Sequence, residues 1–140
     1  MCYLETVHDR SREPEITNLQ GVTTVLVGRF AVSDIVLSYK FISRLQCGIA
    51  LFPLKSHPVW IVKDGSLIDD KRNSSYGTYV NGYKLGDIEI RQLKPGDLIS
   101  FANKAYPHII FNCEKEDNKE DNNEKNSETF GCEFPEDIEQ

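Results

Sequence analysis

The chain has 140 residues and a formal net charge of −6, with 39% hydrophobic and 27% charged residues. That is long enough for one domain with its own core and too apolar for a disordered protein, while no apolar run approaches the roughly 20 residues of a membrane-spanning helix. The charge is uneven: residues 114–140 hold eleven Asp/Glu against three Lys, so the first 113 residues are mildly basic and only they have the sign to draw in an anionic ligand.

Taken in order, Cys2–Val7 alternates loosely and reads as a first strand, with a charged turn from His8 to Pro14. Ile16–Leu19 is a short strand closed by Gln20-Gly21, and Val22–Val27 is a run of branched residues stopping at Gly28-Arg29. Ile35-Val36-Leu37 follows. Gly48–Leu54 and Val59–Val62 are two stronger strands separated by Pro53 and the Ser56-His57-Pro58 turn, and Trp60 in the second belongs in the core. Asp64-Gly65 marks a reversal, and Leu67-Ile68 reads as a further short strand. Asn73–Gly82 is a shaped loop running into a hairpin: Gly77 and Gly82 permit positive φ, and Asn81-Gly82 is a strong two-residue turn signal after Tyr79-Val80. Ile88–Arg91, Leu98–Phe101 and Ile109–Cys113 complete the pattern, with Pro95-Gly96-Asp97 as a turn. No stretch of ten residues keeps a helical period. The class is all-β, and many short strands with frequent turns favour a sandwich or barrel.

The foldable unit is expected to span 1–113. Beyond Cys113 the chain turns to Glu, Asp, Lys and Asn with almost nothing to bury, so 114–140 is expected to be an acidic disordered tail. The opening residues lack a basic stretch followed by an apolar one, which favours a cytoplasmic location over secretion. Cys2, Cys47, Cys113 and Cys132 are far apart with no Cys-x-x-Cys, and reduced intracellular thiols are the expectation.

Three loop clusters carry the chemistry: Gly28-Arg29, Ser43-Arg44, and Ser74-Ser75 leading into Gly77-Thr78. Guanidinium forks bind phosphate oxygens through charge-assisted, often bidentate bonds, and hydroxyls and backbone N–H groups fill the remaining lone pairs. Spacing alone does not make these loops converge, and arginines and serines are ordinary in solvated turns. Other chemistries find less. His8, His57 and His108 lack metal-ligand spacing, so no metal or cofactor is expected. No nucleophile elbow, phosphate-binding glycine loop or paired carboxylates point to an enzyme. Scattered basic residues and an acidic tail argue against nucleic acid.

The order Gly28-Arg29, Asp34-Ile35, Ile42-Ser43-Arg44, Trp60-Ile61, Gly77-Thr78-Tyr79-Val80-Asn81-Gly82 and Leu93-x-x-Gly96-Asp97-x-Ile99 resembles the forkhead-associated (FHA) domain family, over about Tyr3 to Cys113. The resemblance implies a β-sandwich of about eleven strands whose end loops bind phosphothreonine peptides, with no catalysis; the family is one of the Arg-based readers of phospho-motifs. It implies that Arg29 contacts the phosphate or props the loops, that the Ser43 hydroxyl bonds the phosphate, and that Arg44 reaches phosphate or peptide. Ser75 falls at a variable position facing the peptide. Gly28, Gly77, Thr78 and Gly82 belong to the loop framework, and Asn81 matches an asparagine that ties the loops together from inside.

Two positions depart from the family pattern. The family reads Ser-Arg-x-His, and this chain has Gln46 at the fourth place, where glutamine can still supply one donor and one acceptor to brace the loop. The family also reads Ser-x-Asn-Gly-Thr, and Tyr76 stands where that asparagine grips the peptide main chain. A phenol cannot copy a bidentate amide; it either offers a ring to the peptide or obstructs the groove. The alternative function is therefore a phospho-independent interaction scaffold on the same fold. Lys71 and Arg72, just before the loop, add positive charge beside it.

Overall fold

Period-two patterning decides how the strands stack. In β1 (Cys2–Val7) Leu4 and Thr6 are buried between more exposed neighbours, in β3 (Thr24–Gly28) Val25 and Val27 are buried on either side of exposed Leu26, and in β10 (Leu98–Phe101) Ile99 and Phe101 are fully buried. β11 (Lys104–Cys113) does the same with Ile109 and Phe111. The computed structural model, which describes residues 1–114, sets these faces against each other as two sheets. The remaining strands are β2 (Glu15–Asn18), β4 (Ile35–Val36), β5 (Cys47–Pro53), β6 (Pro58–Asp64), β7 (Thr78–Val80), β8 (Tyr83–Lys84) and β9 (Ile90–Gln92). One sheet has the order β2-β1-β11-β10-β7-β8 and the other β4-β3-β5-β6-β9, and the described residues contain no helix. The result is the expected eleven-stranded β-sandwich. The segment where the acidic tail is expected, 115–140, lies outside the described residues.

β6 sits between β5 and β9 and is buried from Val59 to Asp64, with Trp60 in the core as its place in the strand requires. Register then fixes where the loops emerge. Val27 of β3 lies opposite Cys47 of β5, and Cys47 lies opposite Asp64 of β6. In the other sheet Thr78, at the start of β7, lies opposite Phe101, at the end of β10. The loops after β3, before β5, after β6 and before β7 thus leave the sandwich together at one end.

Leu67-Ile68 is not a strand. The Ser66 hydroxyl accepts from the N–H groups of Ile68 and Asp69 (3.2 and 3.1 Å), which curls the chain into a turn and leaves Ile68 fully exposed. Leu67 instead packs on Gly48, where any Cβ would meet its side chain at 2.3 Å.

The cysteines also depart from expectation. Cys2 and Cys113 face each other across the β1–β11 pair and are joined as a disulfide, so the first and last strands are covalently tied. Distance in sequence hid a pairing that register brings about, and the expectation of reduced thiols is overturned for these two cysteines. Cys47 is free and buried; desolvation, with the Asp64 carboxylate adding to it, pushes its thiol well above the ordinary range. It is a core residue and not a nucleophile. A bridge across 111 positions stabilises by up to about 4–5 kcal/mol on loop-entropy grounds. Protein kept from reductant should show an intact mass lighter by two hydrogens, and Cys2→Ser should lower its urea midpoint. An unchanged mass and midpoint on reduction would show two thiols instead.

Candidate functional site

The end loops approach so closely that side chains are excluded at one point of contact. A Cβ on Gly28 would sit 2.0 Å from the Arg44 carbonyl oxygen, so only glycine lets β3 end there. Beyond it the backbone continues alongside the next loop: Arg29 N–H donates to Ser43 O (3.0 Å) and Phe30 N–H to Arg44 O (3.4 Å). Arg29 also donates its Nε–H to Ile42 O (2.9 Å), which anchors the guanidinium and leaves its terminal nitrogens for a ligand. The Arg44 guanidinium lies 5.5 Å from the Phe30 ring centroid, a cation–π contact that orders an otherwise exposed side chain.

Gln46 joins this pair of loops to the third. It is buried, its Oε1 accepts from Ser43 N–H (2.9 Å), and its Nε2 donates to Gly77 O (3.0 Å) and Thr78 Oγ1 (3.1 Å). Glutamine therefore supplies the acceptor and the donor expected of it. Thr78 Oγ1 in turn donates to Asp64 Oδ1 (2.6 Å), and Asp64 also accepts from Ser74 Oγ (2.6 Å) and Ser74 N–H (3.0 Å). Ser74 Oγ accepts from Gly77 N–H (2.9 Å), at a glycine whose φ of +93° disfavours any side chain. Ser75 N–H closes the circuit on Ser43 Oγ (2.8 Å). Since that oxygen accepts from Ser75, its own hydrogen remains to be donated outward.

Arg29, Ser43, Arg44 and Ser75 are thereby brought to one open pocket of about 420 Å³, which Lys71 and Arg72 also line. No lining residue is a carboxylate, and among the described residues neither Arg29 nor Arg44 has an acidic partner. A somewhat larger hollow of about 500 Å³ lies between the β1–β2 hairpin and β4, but its charges are mixed, with Glu15 and Asp34 beside Arg12. Chemistry, not size, singles out the cationic pocket.

Two expected site residues lie elsewhere. Tyr76 is exposed and lines a separate hollow with Lys40, Phe41, Ala102 and Lys104, so it neither joins nor blocks the cationic pocket. Asn81 does not tie the binding loops from inside. It is exposed at the β7–β8 turn (φ +51°), where Nδ2 donates to Asp97 (2.9 Å) and Oδ1 accepts from Leu98 N–H (2.9 Å). Those contacts join two turns at the other end of the strands, with Gly82 (φ +85°) completing the first of them. Sequence reasoning missed Asp64, taken only as a turn residue, and Lys63, whose buried ammonium donates to Ser66 O (2.8 Å). The available signal was an acid at a strand end, followed by a loop rich in hydroxyls.

The FHA domain family matches residues 25–102 of the chain. No curated protein matches it. Among solved structures, the Slr1951 protein of Synechocystis is similar at a TM-score of 0.65 with 19% identity, covering 82% of this chain and 100% of that one. The yeast Pml1 splicing factor gives 0.67 with 22% identity over 80% of this chain and 78% of that one. The MEK1 FHA domain, in complex with a phosphothreonine peptide of HOP1, gives 0.57 with 24% identity over 81% and 97%. These likenesses show the fold.

The Gln46 circuit makes a test of its own. Gln46→Leu leaves Ser43 N–H, Gly77 O and Thr78 Oγ1 without their partner, and should cost about 2–4 kcal/mol in urea unfolding. Gln46→His restores one donor and one acceptor and should stay within about 1 kcal/mol of the parent at pH 8. Its stability should then fall faster than the parent's as pH drops through the histidine range, since a protonated ring turns a donor toward Ser43 N–H. Equal stability of the leucine variant would remove Gln46 from its role.

Proposed function

The chain belongs to the FHA domain family, and from that premise we propose that it is a binding module for phosphothreonine peptides, reading the phosphate with Arg29, Ser43, Arg44 and Ser75. The observation that carries this reading is the meeting of those four residues on a cationic pocket that no carboxylate lines. A phosphothreonine brings about −1.5 to −2 charge and three acceptor oxygens. The terminal nitrogens of Arg29 and the Arg44 fork supply charge-assisted donors, and the Ser43 hydroxyl, already accepting from Ser75 N–H, donates its hydrogen to a phosphate oxygen. Threonine in particular, and the absence of catalysis, are carried over from the family, as in the MEK1 domain bound to its HOP1 phosphothreonine peptide. The partner on this reading is a protein carrying a phosphothreonine.

A second reading has one specific observation behind it. Tyr76 replaces the family's peptide-gripping asparagine and points its surface to a different hollow, beside Phe41. On that reading the fold serves as a phospho-independent scaffold. The two separate cleanly by titration. Under the first, a phosphothreonine peptide library yields ligands that bind more weakly to Arg29→Ala by about ten- to a hundredfold and to Ser43→Ala by about tenfold, at 1.5–3 kcal/mol per bond to a charged group. Under the second, partners captured from cells stay bound after phosphatase treatment, and neither substitution matters.

A further inference from the structure

The cationic pocket holds more positive charge than one phosphothreonine neutralises. Arg29, Arg44, Lys71 and Arg72 contribute four cations, against about −1.5 to −2 from the phosphate. Two of the four come from the Asp64–Asn73 stretch, which takes no part in the Arg29–Ser43 backbone pairing and is built as a unit of its own.

That stretch is held in shape from both ends. Ser66 N–H donates to Arg72 O (2.9 Å), and Arg72 N–H to Asp69 O (3.1 Å). Gly65, at φ +69°, is passed so closely by the returning chain that a Cβ would lie 1.7 Å from Arg72 O. Beneath it the buried Lys63 ammonium donates to Ser66 O and lies 3.4 Å from Asp70 Oδ1. Lys63 is thus a positioning residue, and it also neutralises one of the two acids that precede Lys71 and Arg72. The other, Asp69, pairs with Arg72 only at 3.5 Å between exposed side chains, an arrangement of little energetic weight. Lys71 has no acidic partner among the described residues. A closed loop with a buried cationic anchor therefore presents two adjacent cations to a pocket that already has two.

We propose that Lys71 and Arg72 form a second anion subsite beside the phosphate position. The preferred ligand class is then a phosphothreonine peptide with a further anionic residue close by, either acidic or itself phosphorylated. The proposal rests on the phosphothreonine reading above and adds to it a selection for negative charge in the flanking sequence.

The test uses the full chain and three fluorescent peptides: one phosphothreonine with neutral flanks, the same with three glutamates before it, and the same with three after it. At low salt one of the two acidic peptides should bind about fivefold or more tighter than the neutral one, the gain shrinking as salt is raised. Lys71→Ala/Arg72→Ala should abolish that gain, so that the acidic peptide binds no tighter than the neutral one, while leaving the thermal midpoint unchanged. Arg29→Ala should weaken all three peptides alike. Equal binding of the three to the parent, or a gain that survives in the double variant, overturns the second subsite and leaves the phosphate reading standing. Failure of every phosphopeptide to bind overturns both.

Discussion

The end face of this sandwich depends on a buried polar circuit more than on any single ion pair. Gln46, Asp64, Ser74 and Thr78 exchange hydrogen bonds of 2.6–3.1 Å between two loops that strand pairing does not join. Each group is matched, and in a desolvated setting matched groups polarise one another while a lone one is costly. The circuit is therefore close to all-or-none. Its effect is to fix the distance between Ser43 and Ser75, so that the serine hydroxyl is oriented before any ligand arrives. Binding then need not supply the ordering of these loops, which is where preorganised sites gain affinity.

The circuit also explains how a cationic surface persists on a chain of net negative charge. Like charges gathered in one pocket repel, and a free loop would swing them apart. Here Arg29 is tethered through Nε, Arg44 lies against Phe30, and Lys71 with Arg72 rides on a loop clipped to Lys63. A neutral or already satisfied contact holds Arg29 and Arg44, and among the described residues neither they nor Lys71 has an acidic partner, while Arg72 meets Asp69 only at 3.5 Å between exposed side chains. Where another acid approaches, it is engaged elsewhere: Asp64 takes up hydroxyl and amide donors, and Asp70 faces Lys63.

Much of this was legible in the sequence, and what was not has a common cause. Branched runs such as Val22–Val27 and turn signals such as Asn81-Gly82 act locally, so strands and hairpins could be read directly. The motif order through Gly28-Arg29, Ser43-Arg44 and Gly77-Thr78 named the loops that meet. Leu67-Ile68 failed because two apolar residues mimic a strand wherever a nearby hydroxyl, here Ser66, curls the backbone instead. The Cys2–Cys113 bridge and the roles of Lys63 and Asp64 depend on register between strands distant in sequence, and no local pattern encodes it. Asn81 was placed on the wrong side of its strand: three residues of β7 carry the chain from one end of the sandwich toward the other.

Tyr76 sharpens what kind of reader this scaffold supports. Ser75 and Tyr76 are neighbours, yet they line different hollows, so the crest of their loop separates a cationic pocket from one walled by Phe41, Lys40 and Lys104. On the proposed reading, a phenol at position 76 in place of an amide would forgo a grip on peptide backbone without altering the charges or hydroxyls of the cationic side. Backbone amide contacts are indifferent to sequence, whereas cations are not. On the proposed phosphopeptide reading, a chain with Tyr76 there and Lys71 and Arg72 beside the pocket would lean on the ligand's charge more than on its main chain, and its affinity would be correspondingly sensitive to ionic strength.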